Sequence, residues 1–226
     1  MTVDARYKDL QLKIEESCKR AGRDPKEVQL IAVTKYVSAE TAREALACGV
    51  THLGENRLEG LLEKQQEVGR QQAIWHFIGS LQTRKVKEVL PHIDYLHSLD
   101  RVSLAEEIEK RAEYPIKCFV QVNVSGELSK HGLSLQETVP FIKKLGQFQK
   151  VHVVGLMTMA PFTEDKTKVR SIFTQLKNCQ KEIQLLDLPY APCTELSMGM
   201  SNDFELAIEE GATFIRVGTA LVGKEW

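Results

Sequence analysis

Apolar positions along the chain follow two alternating rhythms: short unbroken runs, and stripes at three- and four-residue steps. Val3, Tyr7, Leu10, Ile14, Cys18 and Ala21 keep the second rhythm, which predicts an amphipathic first helix stopped by Gly22 and Pro25. The run over 28–34 keeps the first. It reads as a strand covered on both faces, as in parallel sheets, and delivers the chain to Lys35. Ser38 can cap a helix running to Cys48, with Gly49 as its stop. Further strands are predicted at 51–54, 73–78, 93–98, 117–123, 151–157, 194–197 and 213–217. Helical stripes fill the gaps: Leu58, Leu61, Leu62 and Val68; a segment from Gln82 to Leu90 halted by Pro91; Leu104, Ala105 and Ile108; Val139 and Ile142; and Val169, Ile172, Phe173, Leu176 and Ile183. The last stripe holds Phe204, Ala207 and Ile208, preceded by Asn202 and Glu205 at capping-box spacing. The polar stretch 125–132 reads as a mobile rim.

Eight strands alternating with helices predict an α/β fold with parallel strands and right-handed crossovers, and eight is the number that closes a (β/α)8 TIM-type barrel. The expectation is one barrel domain over 1–226 with an extra N-terminal helix; an open doubly wound sheet is the alternative the same pattern allows. In a closed barrel strand eight lies beside strand one, so the segment Arg216-Val217-Gly218-Thr219 and the end of the strand carrying Lys35 meet at one rim.

Composition narrows the function. With 30 Lys+Arg against 31 Asp+Glu the net charge is -1, so there is no basic field for nucleic acid, and the cluster 84–87 is too short to supply one. Five cysteines, an odd number without a C-x-x-C pair, suggest neither zinc nor disulfides and point to a reducing, cytoplasmic setting. No stretch approaches membrane-spanning length, and the N-terminus lacks the apolar core of a signal peptide. The histidines, at 52, 76, 92, 97, 131 and 152, show no metal-ligand spacing, and no metal site is expected. G-x-G-x-x-G, P-loop and H-E-x-x-H signatures are missing. Gly199-Met200-Ser201 imitates a nucleophile elbow, but Asp203 stands where its second glycine belongs, which argues against a serine hydrolase.

Lys35, at the end of a buried strand, is a candidate functional amine, and lysines at strand ends are also commonly just solvated. The segments 197–203 and 216–219 can present backbone N–H groups and the hydroxyls of Ser201 and Thr219 to an anion; by residue type alone they serve equally well as a helix cap and a turn. An amine and an anion cradle on one rim suit an aldehyde that carries a phosphate, and pyridoxal 5′-phosphate (PLP) has that shape.

The segments 32–35, 54–56, 75–79 with Leu81-Gln82, 97–101, 121–123, 155–157, 196–201 and 216–219 together resemble the PLP homeostasis proteins, single-domain relatives of the N-terminal barrel of alanine racemase. The resemblance covers nearly the whole chain. It implies that Lys35 holds PLP as a Schiff base, that Ser201, Gly218 and Thr219 contact the phosphate, that Arg216 sits near the pyridine nitrogen, and that Asn56 and His76 line the pocket. Glu59 and Gly60 depart from the glutamine and glutamate that often follow Gly-Glu-Asn in the family. Trp75, Phe77, Met157 and Met198 could pack on the cofactor, though such residues on strands are more often core. The implied role is PLP homeostasis without amino-acid turnover, and hence no catalytic residues. PLP and PLP-dependent apoenzymes would be the partners of a monomer.

The alternative is a PLP-dependent racemase or related fold-type III enzyme. Against it stand the lack, in this chain, of the second-base domain that alanine racemases add, an arginine facing the ring nitrogen, and the placing of Tyr36 on the strand face opposite Lys35.

Overall fold

The computed structural model describes residues 1–127 and 130–224, and the expectations for Leu128, Ser129, Glu225 and Trp226 lie outside the described residues. Eight parallel strands close in sequence order: β1 (Gln29–Val33), β2 (His52–Glu55), β3 (Ile74–Phe77), β4 (Tyr95–Leu99), β5 (Ile116–Gln121), β6 (Val151–Met157), β7 (Glu195–Ser197) and β8 (Phe214–Val217). β8 pairs with β1 through Ala32 and Val217, which is the closure the alternation predicts and which rules out the open sheet.

The helices are α1 (Val3–Ala21), α2 (Ala39–Ala47), α3 (Leu58–Val68), α4 (Val86–Val89), α5 (Val102–Arg111), α6 (Leu135–Lys144), α7 (Lys166–Gln184), α8 (Phe204–Glu209) and α9 (Thr219–Val222). α1 ends at Gly22 with φ 65, a left-handed conformation that glycine adopts without a Cβ penalty. Ser38 caps α2 as predicted, its hydroxyl accepting from the Thr41 N–H. The helix expected over 82–90 is instead a short α4 between two 3-10 turns, because Pro91 cannot extend an α-helical ladder. The capping box expected from Asn202 and Glu205 does not form: Glu205 reaches Arg20 at 2.9 Å, and the N-cap is Asp203 without a side-chain cap bond.

Residues alternate between two environments along each strand. Leu53, Trp75, Leu96, Val120, Leu196 and Ile215 face the helices in the main apolar cluster, while Ile31, Phe119, Val154, Met157 and Phe214 fill the barrel with Tyr95. Trp75, Phe77 and Met198 are thus core residues of the outer layer. Within the stretch expected to be a mobile rim, Ser125, Gly126, Glu127 and Lys130 are tied to Asn123. The Asn123 amide donates to the carbonyls of Glu127 and Lys130 at 2.9 and 3.3 Å, and its oxygen accepts from Ser125 and Gly126 at 3.1 Å each. No described helix is long and apolar enough to cross a membrane.

Candidate functional site

The C-terminal ends of β7, β8 and β1 are neighbours, since β8 pairs with β7 at Ser197 and Phe214 and with β1 up to Ala32 and Val217. The segments that follow these strands carry most of the residues singled out from sequence. Lys35 lies in the turn just past β1, exposed, with its Nζ 5.0 Å from the centroid of the Tyr36 ring. Tyr36 is therefore not on an opposite face: the strand has ended at Val33, and the two-residue alternation does not extend into the turn. Past β8, Gly218 has φ -101 and ψ -100, and a Cβ placed there would meet only Val33, at 3.6 Å. Glycine is not demanded by crowding at this point; it leaves the backbone ahead of α9 bare, so a ligand can approach closely.

The segment after β7 turns sharply. Gly199 has φ 93, and a Cβ there would lie 2.6 Å from the Ala207 Cβ and 2.9 Å from the Phe204 Cα, so the glycine lets the turn pack directly on α8. The Asp203 carboxylate accepts the Met200 N–H, and the Gly199 carbonyl accepts the Arg216 N–H at 3.0 Å, tying this turn to β8. Ser201 is half-buried and Thr219 exposed at the ends of the two segments. Neither hydroxyl, nor the Lys35 amine, has a hydrogen-bond partner among the described residues. Three polar groups therefore remain uncommitted in the segments that follow the adjacent strands β7, β8 and β1.

Arg216, on the inward face of β8, is only 5% exposed. Its guanidinium donates to the Ser197 hydroxyl at 2.6 Å and to the Thr158 carbonyl at 2.9 Å. Among the described residues it has no ion pair. Burial pushes its pKa down to about 10, partly opposed by Asp203, so it stays charged at neutral pH. A buried charge without an ion pair is costly, and one on the C-terminal part of a barrel strand fits an acceptor arriving at that end of the barrel.

Asn56 follows β2 directly and is half-buried at the same end of the barrel, where a side chain at Gly79 would collide with its carbonyl. His76 lies deeper than a pocket-lining residue. It is fully buried, with Nε2 2.8 Å from His52 Nδ1 and Nδ1 2.8 Å from His97 Nε2. His97 Nδ1 is in turn 3.0 Å from Ser197 Oγ, so His76 reaches Arg216 only through two intermediates. Burial lowers the pKa of His52 to about 4 and those of His76 and His97 well below the ordinary value.

Ser197, His97 and His52 escaped the sequence reading. The signal that finds them is strand alternation: Ile31 pairs with His52 and with Arg216, His76 with Tyr95, and Ser197 with Phe214, so all share the inward face once register is known. The departure at Gly60 also gains a physical setting. A Cβ there would sit 3.1 Å from Glu55 Oε2 and 3.8 Å from Lys64 Nζ, so glycine leaves room above a buried ion pair.

The closed barrel, with a buried charged arginine on β8, defines a protein of the alanine racemase N-terminal domain class, and that family matches residues 9–225. The chain is 40% identical to the pyridoxal phosphate homeostasis protein of Aquifex aeolicus, over 94% of its length and 93% of the relative's. It is 37% identical to the one from Pseudomonas aeruginosa, over 98% and 95% of the two lengths. It belongs to the pyridoxal phosphate homeostasis protein family. Among solved structures, PipY of Synechococcus elongatus with PLP bound superposes with a TM-score of 0.85 at 36% identity, covering 98% of this chain and 100% of that one. An alanine racemase from Clostridium difficile shares the fold alone, with a TM-score of 0.74 at 14% identity over 94% of this chain and 56% of its own.

Proposed function

We propose that this chain is a single PLP-binding barrel domain over 1–226 that holds the cofactor at the openings of β7, β8 and β1 and serves cytoplasmic PLP homeostasis as a monomer. The observation that carries the reading is Arg216: a buried guanidinium without an ion pair, on a strand whose neighbours β7 and β1 lead into segments bearing the uncommitted Lys35 amine and the Ser201 and Thr219 hydroxyls. The family membership and the PLP-bound relative support it.

When bound, PLP supplies an aldehyde that condenses with an amine and a phosphate that accepts hydrogen bonds. Lys35 offers the amine for a Schiff base, on an exposed turn that leaves the bond open to exchange. Ser201 and Thr219 would donate hydroxyl hydrogens to the phosphate, and the bare backbone at Gly218 would let that group come close. Arg216, held by Ser197 and Thr158, would meet the ring nitrogen as a donor and disfavour a proton there, which would weaken the ring as an electron sink. Asn56 closes the side toward β2. The set binds, orients and releases; PLP-dependent apoenzymes are the recipients, and amino acids are not turned over. Reaction at an amino-acid α-carbon would appear as deuterium uptake from solvent, and none is expected.

The test is borohydride reduction of the PLP-loaded protein followed by peptide mapping. A single adduct at Lys35, lost in Lys35→Ala while the protein stays folded, is the expected result. An adduct on Lys130 or Lys224, or none at all, would overturn it. Lys130 is already engaged, with its Nζ 3.2 Å from Glu127 and 3.4 Å from the Met159 carbonyl.

A further inference from the structure

Four buried side chains, Ser197, His97, His76 and His52, run in an unbroken row from Arg216 through the barrel to the start of β2. The hydrogen positions in such a row are decided by its ends. Arg216 can only donate, so the Ser197 oxygen accepts at 2.6 Å. The serine hydrogen then needs an acceptor, and the one remaining partner among the described residues is His97 Nδ1 at 3.0 Å. With Nδ1 accepting, a neutral His97 carries its proton on Nε2 and donates to His76 Nδ1 at 2.8 Å. His76 repeats the pattern and donates from Nε2 to His52 Nδ1, again at 2.8 Å.

The reverse direction has His97 donating to a serine that already accepts from Arg216. It strands the hydroxyl hydrogen in a site where Ser197 and His97 are both 0% exposed. An imidazolium at His76 meets the same obstacle, since it donates both ways and turns His97 back upon the serine. The depressed pKa values of the three rings, with burial as the leading cause, agree with a neutral row.

We propose that Ser197, His97, His76 and His52 are positioning residues: a one-way hydrogen-bond chain, with every imidazole neutral and protonated on Nε2, that holds the Arg216 guanidinium in place by aligned dipoles. A carboxylate at Ser197 would hold the arginine too, but would cancel its charge. The row instead turns the negative ends of its dipoles toward the cation, each bond polarising the next, and leaves its charge unneutralised at that contact. Two anchors fix the geometry, the Ser197 hydroxyl on β7 and the Thr158 carbonyl beyond β6, so the arginine of β8 is set against two other strands. The row is not a route for protons to the site, because a guanidinium at its upper end cannot accept one. Its effect on the cofactor rests on the reading of Arg216 given above; its direction does not.

The experiment is nitrogen NMR on histidine-labelled protein without PLP, using the two-bond couplings that distinguish the ring tautomers, with each ring assigned by a single His→Gln variant. The expected wild-type pattern is neutral and Nε2-protonated at His52, His76 and His97. A proton on Nδ1 of His76 or His97, or an imidazolium at neutral pH, would overturn the proposal without recourse to any variant. In Ser197→Ala the His97 pattern should change and PLP affinity should fall roughly tenfold or more, the loss expected for one hydrogen bond to a charged group. Unchanged tautomers and unchanged affinity in that variant would remove the positioning role. A wild-type protein that shows the tautomers yet fails to bind PLP would sink the cofactor reading and leave the row intact.

Discussion

Lys64 Nζ lies 3.1 Å from Glu55 Oε1 behind the strand ends, with the two side chains only 4% and 2% exposed. Thr34, the residue before Lys35, donates its hydroxyl to the same carboxylate oxygen at 2.6 Å. The pair thus braces the turn that presents the amine. Removing one partner leaves the other charge buried alone, so Lys64→Met is expected to cost about 3–5 kcal/mol. The double change Glu55→Gln with Lys64→Met should cost less than the single one, because no uncompensated charge remains. Urea unfolding of the three proteins measures both; a single-variant loss below about 1 kcal/mol, the range of exposed pairs, would mean that water reaches the pair.

The neutral histidines make stability depend on pH with a definite sign. His52 has its pKa lowered from 6.5 to about 4 by burial, so between those values the unfolded chain binds a proton that the folded chain refuses. The contribution is fully present above pH 6.5 and is lost as pH falls toward about 4. For His52 alone the loss is roughly 3 kcal/mol. His76 and His97 are shifted in the same direction and extend the loss further into acid. Unfolding free energies from urea titrations across this window should fall steadily in the wild type and less steeply in His52→Gln; a flat wild-type profile would contradict the buried neutral row.

The residues legible in the sequence were those marked by a local break in pattern. Lys35 ends an apolar run, and Gly218 and Thr219 end another, so strand periodicity and closure together brought them to one rim before any register was known. The resemblance to the family supplied Ser201 and Arg216 with roles. His52 and His97 stayed hidden, and His76 was reached only through the resemblance, because more than twenty positions separate each from the next, and only the lateral register of β2, β3 and β4 stacks them into a row. The Glu55 and Lys64 pair was hidden for another reason. Charged residues on strand ends and amphipathic helices are usually solvated, and burial of both depends on the three-dimensional fit of α3 over β2 at Gly60.

The two glycines beside the site should respond differently to alanine. Gly199→Ala puts a Cβ 2.6 Å from Ala207 and requires φ 93 of an L-residue, so a loss of about 1–3 kcal/mol in stability is expected, with the turn displaced from α8. At Gly218 φ is negative, and the added Cβ meets only Val33 at 3.6 Å. Gly218→Ala should therefore unfold at nearly the wild-type temperature and yet bind PLP more weakly, because the new methyl group stands where the phosphate approaches. Thermal unfolding alongside PLP titration separates the two cases, and equal destabilisation by both would show that Gly218 serves packing instead.

The hydroxyls offer the sharpest division between phosphate and ring. Ser201 and Thr219 lie on separate segments after β7 and β8 and have no protein partner among the described residues, so removing either leaves no orphaned group in the protein. The stability of Ser201→Ala and Thr219→Ala should accordingly match the wild type. A hydrogen bond to a charged group is worth about 1.5–3 kcal/mol, which predicts a loss of about tenfold or more in PLP affinity for each variant. Pyridoxal, which has the same ring and aldehyde without the phosphate, should bind the variants as it binds the wild type, because Lys35 and Arg216 are untouched. Calorimetric titration of both ligands into the three proteins gives the comparison; equal losses for PLP and pyridoxal would place the phosphate away from these two segments.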